Sequence, residues 1–321
     1  MQSIYFAPLE GITDAIYRRT HAAHFGGVAK YFIPFISPTQ NLCFTARELA
    51  NIAPQENAGL IAVPQILTRD AEHFLWSARA LFDLGYGEVN LNLGCPSGTV
   101  TAKGKGAGQL CDLPALERFF DAVFAGLPYP MKLSVKTRIG FRSPDEFPAL
   151  LALFSRYPLC ELTVHPRTRG EFYRGTPHRD AYAAALTKTR LPLVYNGDLF
   201  TEDDCRTLMG ACPGTRALML GRGLIANPAL AQALCGGKPL TRDALRAFTD
   251  DLLDAWLSKH PPNVAIARMA EVMKHTACCF EDADKPRKLI RKAKTLAAYR
   301  EAKAMLFDRE LRAVPGFIPE P

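Results

Sequence analysis

The chain has 321 residues, 48% of them hydrophobic, and a net charge of +7, which suits one large domain with a smaller one attached. Its nine cysteines form no Cys-x-x-Cys pair, and an odd count argues against the disulfide framework of small secreted proteins. Without a signal peptide, a long uncharged apolar stretch or a His/Cys cluster of ligand spacing, we expect a cytoplasmic protein with no membrane segment and no metal site.

Eight short apolar runs are typical of β-strands, each bounded by glycine, proline or polar residues. Most intervals between them carry one amphipathic helical pattern, as in residues 70–84 and 113–124. Eight alternations of strand and helix predict an α/β fold of the (β/α)8, or TIM, barrel type. An open doubly wound sheet would normally carry Gly-x-Gly-x-x-Gly after its first strand, where this chain has Pro8-Leu9-Glu10-Gly11. The predicted strands are residues 5–9, 28–33, 60–67, 88–93, 133–137, 161–165, 191–195 and 217–220.

A helical pattern replaces the barrel pattern after Asn227-Pro228, and Gly236-Gly237-Lys238-Pro239 indicates a linker. We therefore expect a TIM-barrel domain at residues 1–236 followed by a C-terminal all-helical domain at residues 240–321. The helices predicted in the second domain are residues 243–257, 264–278 and 286–304.

The excess of basic residues is confined to residues 285–303, whose net charge of +7 equals that of the whole chain. Such a segment indicates a polyanionic partner. A solvated charged face is the commoner role for a run of charges, but such faces usually mix the two signs. On a single helix the basic and apolar residues would occupy separate arcs, and the apolar arc would pack on the helical domain. The basic arc holds Arg287, Lys288, Arg291, Lys292 and Lys294, and the apolar arc holds Leu289, Ile290, Ala293, Leu296 and Ala297.

Polar residues follow the C-terminal ends of the predicted strands, and in a TIM barrel these ends converge on one cavity. Any one of them could be a structural residue, but their joint occurrence at the same end indicates a functional site. In chain order they are Glu10, Gln65, Asn92 with Cys95, Lys136 with Arg138, His165 with Arg167, Asn196-Gly197-Asp198 and Gly221-Arg222-Gly223.

The loops after the seventh and eighth strands predict a phosphate site. Barrels usually bind phosphate at these two loops. Asn196-Gly197-Asp198 and Gly221-Arg222-Gly223 supply glycines for close backbone approach and an arginine to pair with the charge. Two ordinary barrel turns are the alternative. We favour a phosphate-bearing cofactor.

Cys95 and Lys136 are the residues with the most distinctive chemistry. Gly94 and Pro96 fix the backbone around the Cys95 thiol, and a tight polar turn is a poor place for a cysteine that only fills the core. Lys136 could form a Schiff base, as in an aldolase, or stay charged and stabilise negative charge on a cofactor ring. Arg138 points the same way along the strand and would suppress protonation of Lys136. A thiol opposite the lysine favours redox or addition chemistry on a conjugated ring.

Six blocks of the chain resemble, in the same order, the motifs of the tRNA-dihydrouridine synthase family. They span residues 5–223 and are highly specific in combination, whereas the helical tail matches loosely, through Ala267-Arg268 and Lys274-His275. The blocks are Ala7-Pro8-Leu9-Glu10-Gly11-Ile12-Thr13-Asp14, Asn92-Leu93-Gly94-Cys95-Pro96-Ser97, Ser134-Val135-Lys136-Thr137-Arg138-Ile139-Gly140, Val164-His165-Pro166-Arg167-Thr168-Arg169, Asn196-Gly197-Asp198 and Leu220-Gly221-Arg222-Gly223.

The resemblance implies an enzyme that reduces a uridine in tRNA to 5,6-dihydrouridine. In that family FMN is reduced by NADPH and passes hydride from N5 to C6 of the uracil, and Cys95 would protonate C5. The base must leave the RNA stack, which costs a few kcal/mol and favours flexible loops. Which uridine is reduced stays open.

The resemblance also implies roles for individual residues. Gln65 would hold the flavin ring, Lys136 would face N1/O2, His165 would lie beside the ring, and the backbone of Pro8, Leu9 and Glu10 would lie beneath it. The residues implied at the phosphate are Asn196, Gly197, Asp198, Gly221 and Arg222. The residues implied at the substrate are Asn92 on the uridine, with Arg138, Arg167 and Tyr173 nearby. Arg268, in the loosely matching tail, and Arg287, Lys288, Arg291 and Lys292, from the charge pattern of the basic segment, are the residues expected to contact the tRNA.

Two other functions compete with this interpretation. A flavin barrel that reduces a free pyrimidine, similar to dihydroorotate dehydrogenase, shares the site but does not need the basic tail. A non-catalytic RNA-binding protein could keep the barrel as a scaffold, and binding of a flavin that NADPH reduces would count against it.

Overall fold

The computed structural model describes residues 3–319 and confirms the TIM barrel. Eight parallel strands pair in sequence order, and β1 pairs with both β2 and β8 to close the barrel. All eight predicted strands are present, with ends that differ from the predicted ones by three residues at most. The strands are β1 Ser3–Phe6, β2 Val28–Ile36, β3 Ala62–Ile66, β4 Glu88–Leu93, β5 Lys132–Gly140, β6 Glu161–Thr168, β7 Leu193–Tyr195 and β8 Ala217–Leu220.

Helices follow the strands and continue beyond the barrel. None of the helices in residues 3–319 is long and apolar enough to cross a membrane. The helices through the barrel are α1 Ala15–His24, α2 Ala46–Ile52, α3 Ala71–Asp83, α4 Gly98–Thr101, α5 Leu113–Gly126, α6 Phe147–Phe154, α7 Arg179–Leu186, α8 Glu202–Ala211, α9 Arg222–Ala226 and α10 Leu230–Leu234. The helical tail contains α11 Arg242–Leu257, α12 Pro262–Thr276, α13 Asp284–Lys292 and α14 Leu296–Phe307. Short 3-10 turns lie at Pro54–Asn57, Gly106–Cys111, Pro144–Glu146 and Ala277–Cys279.

The inside of the barrel is divided into an apolar and a polar half. Strands β1, β2, β3, β7 and β8 contribute a small apolar cluster that includes Phe32, Val63 and Met219. In contrast, β4 turns Val89 and Leu91 outward into the main core and therefore turns the residues between and after them, Asn90 and Asn92, inward. The alternation of side chains along β4 to β6 thus places polar groups inside the barrel.

A buried charge cluster closes the floor of the barrel, at the N-terminal ends of the strands. The Lys30 ammonium donates to Glu88 at 2.7 Å and to Glu161 at 2.9 Å. The Tyr5 hydroxyl donates to Glu161 at 2.6 Å. The Lys30 charge thus has two carboxylate partners in a mostly buried site, where an unpaired charge would be costly.

The third predicted tail helix, residues 286–304, is wrong, because the chain forms two helices there. Ala293 has extended backbone (φ −59°, ψ 130°) and ends α13, and the Thr295 hydroxyl then caps α14 by accepting from the Ala298 N–H. Threonine favours this N-cap position over the middle of a helix. The predicted helices at 243–257 and 264–278 are confirmed with small shifts as α11 and α12.

One side chain in the basic segment differs from its predicted position, and one of the segment's charges is buried. Leu289, expected to pack, is 40% exposed, whereas Ile290 on the same helix is buried. Lys303 is only 4% exposed and donates to Asp250 at 2.6 Å, so its charge does not reach the surface. The division into two domains stays a prediction, and its ends at residues 1–2 and 320–321 lie outside the described residues.

Asp14 links the barrel to the helical tail. Its carboxylate accepts from the Tyr17 N–H as the N-cap of α1 and from the Trp256 indole N–H of α11 at 3.0 Å. It also pairs with Arg268 of α12, whose guanidinium lies 5.8 Å from the Trp256 ring centroid. Arg268, implied above to contact tRNA, is therefore engaged in holding the tail on the barrel.

Replacing Asp14 with alanine should lower the free energy of unfolding by about 3 kcal/mol, because it leaves the Arg268 charge without its partner in a mostly buried site and removes a helix cap. Urea denaturation measures the loss. The matched control is Asp251→Ala, which removes a tail-to-barrel pair with His24 in which the Asp251 side chain is 65% exposed. This control should cost under about 1 kcal/mol. Equal losses in the two variants would contradict the prediction.

Candidate active site

One cavity of about 410 Å³ opens at the C-terminal ends of the strands. All eleven residues implied at the cofactor line it. Cys95, Asn92, Arg138 and Tyr173 line it as well, so the structure brings together nearly every polar strand-end residue that the sequence singles out. Its volume is in the range of small-molecule sites.

A chain of buried amides leads to the Cys95 loop. The Gln65 amide donates to Asn90 at 2.7 Å, and the Asn92 amide donates to the Gln65 carbonyl oxygen at 2.7 Å. The Asn92 carbonyl oxygen then accepts from the backbone N–H of Gly94 at 3.1 Å and of Cys95 at 2.9 Å. Each amide has its orientation fixed by the next, so the position of Cys95 is set from inside the barrel.

The glycine-rich loop after Cys95 packs against it. The Ala107 N–H donates to the Cys95 carbonyl at 3.1 Å. Gly106 has φ +57°, and a Cβ there would lie 3.0 Å from the Cys95 oxygen. A larger residue would therefore displace the cysteine. Cys111, in the same loop, is exposed and lies apart from the cavity wall.

Lys136 is a cavity-lining amine without a protein partner. It makes no hydrogen bond or ion pair with any residue from 3 to 319, although it lies within electrostatic range of Cys95. Burial lowers the pKa of Lys136 to about 7, with a further lowering by the Arg138 guanidinium. The effect of Arg138 agrees with the prediction from strand alternation.

His165 is neutral and held between two neighbours. Burial first, and then the charges of Arg138 and Lys136, lower the pKa of His165 well below its usual value. Its Nε2 lies 3.3 Å from an Arg167 N–H, and its Nδ1 lies 3.4 Å from the Asn196 oxygen. Because arginine can only donate, the proton sits on Nδ1, which donates to Asn196.

The resemblance implies that Arg167 lies near the RNA substrate, and this expectation is wrong. The Arg167 side chain is fully buried, pairs with Asp198 and donates to the backbone carbonyls of Arg174 and Gly175. Asp198 lies 31 residues further along the chain with φ +41°, a backbone geometry that aspartate tolerates better than most residues. This carboxylate draws the arginine inward.

Arg138 and Tyr173 lie together on the cavity wall. The Arg138 guanidinium donates to the Gly94 carbonyl at 2.9 Å and to the Thr168 carbonyl at 2.7 Å. Its charged carbon lies 5.6 Å from the Tyr173 ring centroid, and that ring is 55% exposed. A fixed cation beside an accessible aromatic ring suits a flat polar ligand.

The predicted phosphate arginine, Arg222, is held by a carboxylate and three aromatic rings. It donates to Asp198 at 2.9 Å. Its charged carbon lies 4.8, 5.3 and 5.0 Å from the ring centroids of Tyr173, Phe200 and Phe317. Sequence reasoning missed Phe317, because nothing in the local pattern predicts that the end of the chain returns to the barrel.

The basic residues of α13 are mostly exposed. Arg287 pairs with Asp284 at 3.4 Å. Within residues 3–319, the other members of the predicted basic arc make no ion pair with an acidic side chain, and they are Lys288, Arg291, Lys292 and Lys294. Lys288, Arg291 and Lys292 are three and four residues apart on α13, so they share one face of the helix, called the α13 basic face below, whereas Lys294 follows the end of the helix.

Comparison with known proteins gives one clear family. The family described as "Dihydrouridine synthase (Dus)" matches residues 5–313. A protein of Ralstonia nicotianae named tRNA-dihydrouridine(16) synthase is 30% identical over 245 residues, 74% of this chain and 73% of that protein. A protein of the same name from Escherichia coli is 28% identical over 243 residues, 74% of this chain and 76% of that protein.

Two solved structures share the fold. Morphinone reductase has a TM-score of 0.52 and 13% identity, over 75% of this chain and 87% of that one. A variant of NCR from Zymomonas mobilis has a TM-score of 0.53 and 16% identity, over 76% of this chain and 90% of that one. At these identities the likeness concerns the barrel architecture alone.

The amine of Lys136 should become reactive at unusually low pH in the ligand-free protein. Its lowered pKa of about 7 means that the neutral, nucleophilic form appears some three pH units below that of an ordinary lysine, at about 10.4. The measurement is the rate of Lys136 acylation, followed by mass spectrometry from about pH 6 to about pH 10, and its midpoint gives the pKa of the amine.

Arg138→Met should move this midpoint upward, because it removes the second cause of the lowered pKa and leaves burial in place. If the reactivity of Lys136 still rises steeply near pH 10 in the wild type, roughly as for an ordinary lysine, its amine is solvated and the prediction fails.

Proposed function

This chain belongs to the dihydrouridine synthase family, and from that membership we propose that it reduces uridine 16 of tRNA to 5,6-dihydrouridine, with FMN as cofactor and NADPH as reductant. The family match extends through residue 313 and so includes the helical tail, which a reductase of free pyrimidines does not need. Position 16 is the one in the names of the curated relatives. One observation carries the chemistry: a positioned thiol, Cys95, and an unpartnered amine, Lys136, line the same cavity.

The residues of the cavity fit a flavin mononucleotide. The Lys136 amine has no protein partner and suits the electron-rich pyrimidine edge of the ring, where Gln65 and the neutral His165 would also lie. Arg222 suits the phosphate, together with Asn196, Gly197 and Gly221 of the β7 and β8 loops, and the Asp198 carboxylate orients the arginine. When bound, the flavin supplies the hydride that reduces the uracil double bond.

Cys95 is the proposed proton donor to C5 of the uracil. Asn92 holds the backbone N–H of Cys95, and Gly106 allows the following loop to pack against it, so the thiol keeps one position in the wall. A thiol carries a proton that it can give up, so a positioned cysteine can act as a general acid. Lys136, when protonated, stabilises negative charge in the same cavity.

Arg138 and Tyr173 are proposed to hold the extruded base. The Arg138 guanidinium is fixed by two backbone carbonyls, so binding a uracil oxygen costs it little conformational freedom. The exposed ring of Tyr173 offers a face on which a base can stack, as enzymes that flip nucleotides commonly provide. The Asn92 side-chain oxygen accepts from the Cys95 N–H and so positions the thiol in the wall of the same cavity.

Purified protein with FMN and NADPH should convert uridine 16 of an unmodified tRNA transcript to dihydrouridine, mapped by mass spectrometry of nuclease fragments. Cys95→Ala should slow this reaction by about 10²–10⁴-fold, the usual contribution of a general acid. The same variant should still bind flavin and accept electrons from NADPH at a near-native rate, because the thiol acts only on the uracil. The control is Cys111→Ala, outside the cavity wall.

The outcomes separate the competing functions. Turnover of a free pyrimidine such as dihydroorotate, with no change in tRNA, would identify the alternative enzyme. A protein that binds tRNA but no flavin would be the non-catalytic one. Loss of flavin reduction together with tRNA reduction in Cys95→Ala would mean that the cysteine supports the cofactor site.

The α13 basic face is proposed to bind tRNA phosphates. Arg291→Ala with Lys292→Ala should weaken tRNA binding and reduce the slope of log K against log salt by up to about two, one for each lost phosphate contact. Flavin content should not change. Filter binding at several salt concentrations measures the slope.

The matched control removes one lysine and one arginine at the opposite end of the barrel. Lys188→Ala with Arg190→Ala changes the loop before β7, and both residues are exposed there. This control should leave the salt slope intact. Equal slopes in both double variants would place the RNA elsewhere on the molecule.

A further inference from the structure

His275 is a buried histidine whose ring makes no hydrogen bond in the part of the chain that the structure describes. It lies in the last turn of α12, is 9% exposed and lines the cavity, although it belongs to the helical tail. Its Nδ1 is sealed from solvent and unpaired, and its Nε2 has no partner within residues 3–319 either. Buried polar groups in folded proteins are nearly always paired, so this imidazole lacks something.

The His275 ring is held in place by its neighbours, since the chain on its C-terminal side is bonded to the barrel and the ring packs on Phe317. The Thr276 hydroxyl donates to the Ile225 carbonyl at 3.2 Å, and the Cys279 thiol donates to the Ala226 carbonyl at 3.2 Å. Both contacts fasten the end of α12 to α9, the helix that follows β8. The His275 ring then lies 5.2 Å from the Phe317 ring, between centroids. The histidine is therefore fixed at the wall by its neighbours.

The protonation of His275 makes it a hydrogen-bond donor to the cavity. Burial, then the charges of Lys274 and Arg222, lower the pKa of His275 to about 4, so the ring is neutral at neutral pH. An orphaned N–H is rarer in folded proteins than an under-satisfied acceptor, which places the single proton on Nε2. A ligand that satisfies this ring must accept a hydrogen bond.

The surroundings of His275 select an anionic acceptor. Arg222 contributes to the lowered pKa of His275 and so lies within electrostatic range. Both side chains line the cavity, and both lie against the ring of Phe317, at 5.2 Å for His275 and 5.0 Å for Arg222. A group that reaches the imidazole also meets the guanidinium.

We propose that His275 binds the phosphate group of the flavin mononucleotide, so that the phosphate site is shared between the barrel and the helical tail. This rests on the proposed FMN cofactor. The barrel supplies Arg222 and the β7 and β8 loops, and the tail supplies one N–H. The phosphate then joins α12 to the barrel, and a flavin without phosphate leaves this contact unmade.

Comparing FMN with riboflavin, which lacks the phosphate, isolates this contact. The flavin-free wild type should bind FMN more tightly than riboflavin. His275→Phe keeps a flat ring and removes the donor, and it should weaken FMN about 10-fold or more while leaving the riboflavin Kd unchanged. His275→Gln, which keeps an N–H of similar reach, should recover most of the FMN affinity. Flavin fluorescence quenching measures all Kd values.

An unchanged riboflavin Kd also shows that the cavity of the variant is folded. If the phenylalanine ring is too large for the site, His275→Met repeats the test. The control is His178→Phe, because His178 bonds Glu171 at 2.8 Å and does not line the cavity. Equal weakening of FMN and riboflavin in His275→Phe, or no weakening of either, overturns the inference while leaving the cofactor proposal standing. A wild type that binds neither flavin overturns the cofactor proposal itself.

Discussion

The polar half of the barrel interior is the constraint on which the rest of the site depends. Amides and hydroxyls buried there lose their water and must pair with one another. The solution is the chain of amides from Asn90 through Gln65 to Asn92, and it ends where the Asn92 side-chain oxygen accepts from the backbone N–H of Cys95. The hydrogen bonds that pair the buried amides are thus the same ones that position the Cys95 thiol. A change in the barrel core on this side would move the proposed proton donor.

The charges of the cavity are balanced unevenly. Asp198 neutralises the buried Arg167 and also pairs with Arg222. Within residues 3–319, in contrast, Arg138 and Lys136 make no ion pair, and the Arg138 hydrogen bonds go to backbone carbonyls. Lys136 responds to this surplus with a lowered pKa, since burial and a neighbouring cation both disfavour its charged form. A ligand with negative charge or electron-rich oxygens relieves that penalty. Without a ligand the cavity therefore has an excess of positive charge, as expected for a site that binds an anionic cofactor.

The local sequence pattern is enough to predict the barrel, because each strand and helix has its own hydrophobic periodicity and its own bounding residues. It also placed the polar strand ends at one cavity, since a closed parallel barrel permits no other arrangement. It failed where a side chain's partner is distant in sequence. Lys303 is buried and pairs with Asp250, and Arg167 is buried and pairs with Asp198. Neither pairing can be predicted from the residues next to it in the sequence. The break between α13 and α14 was the exception, since a threonine N-cap could have been read from the sequence.

The helical tail is part of the site rather than an attachment to it. Asp14 fixes the start of α1 to α11 and α12 through buried groups, and the end of α12 is fastened to α9 beside the β8 loop. These two attachments leave the tail little freedom to rotate against the barrel. A tRNA bound through phosphates on α13, as proposed above, would then be presented to the cavity at a fixed distance and angle. In that proposal the geometry of the tail would select one uridine within the folded RNA, because base stacking and charge alone do not distinguish one flexible uridine from the next.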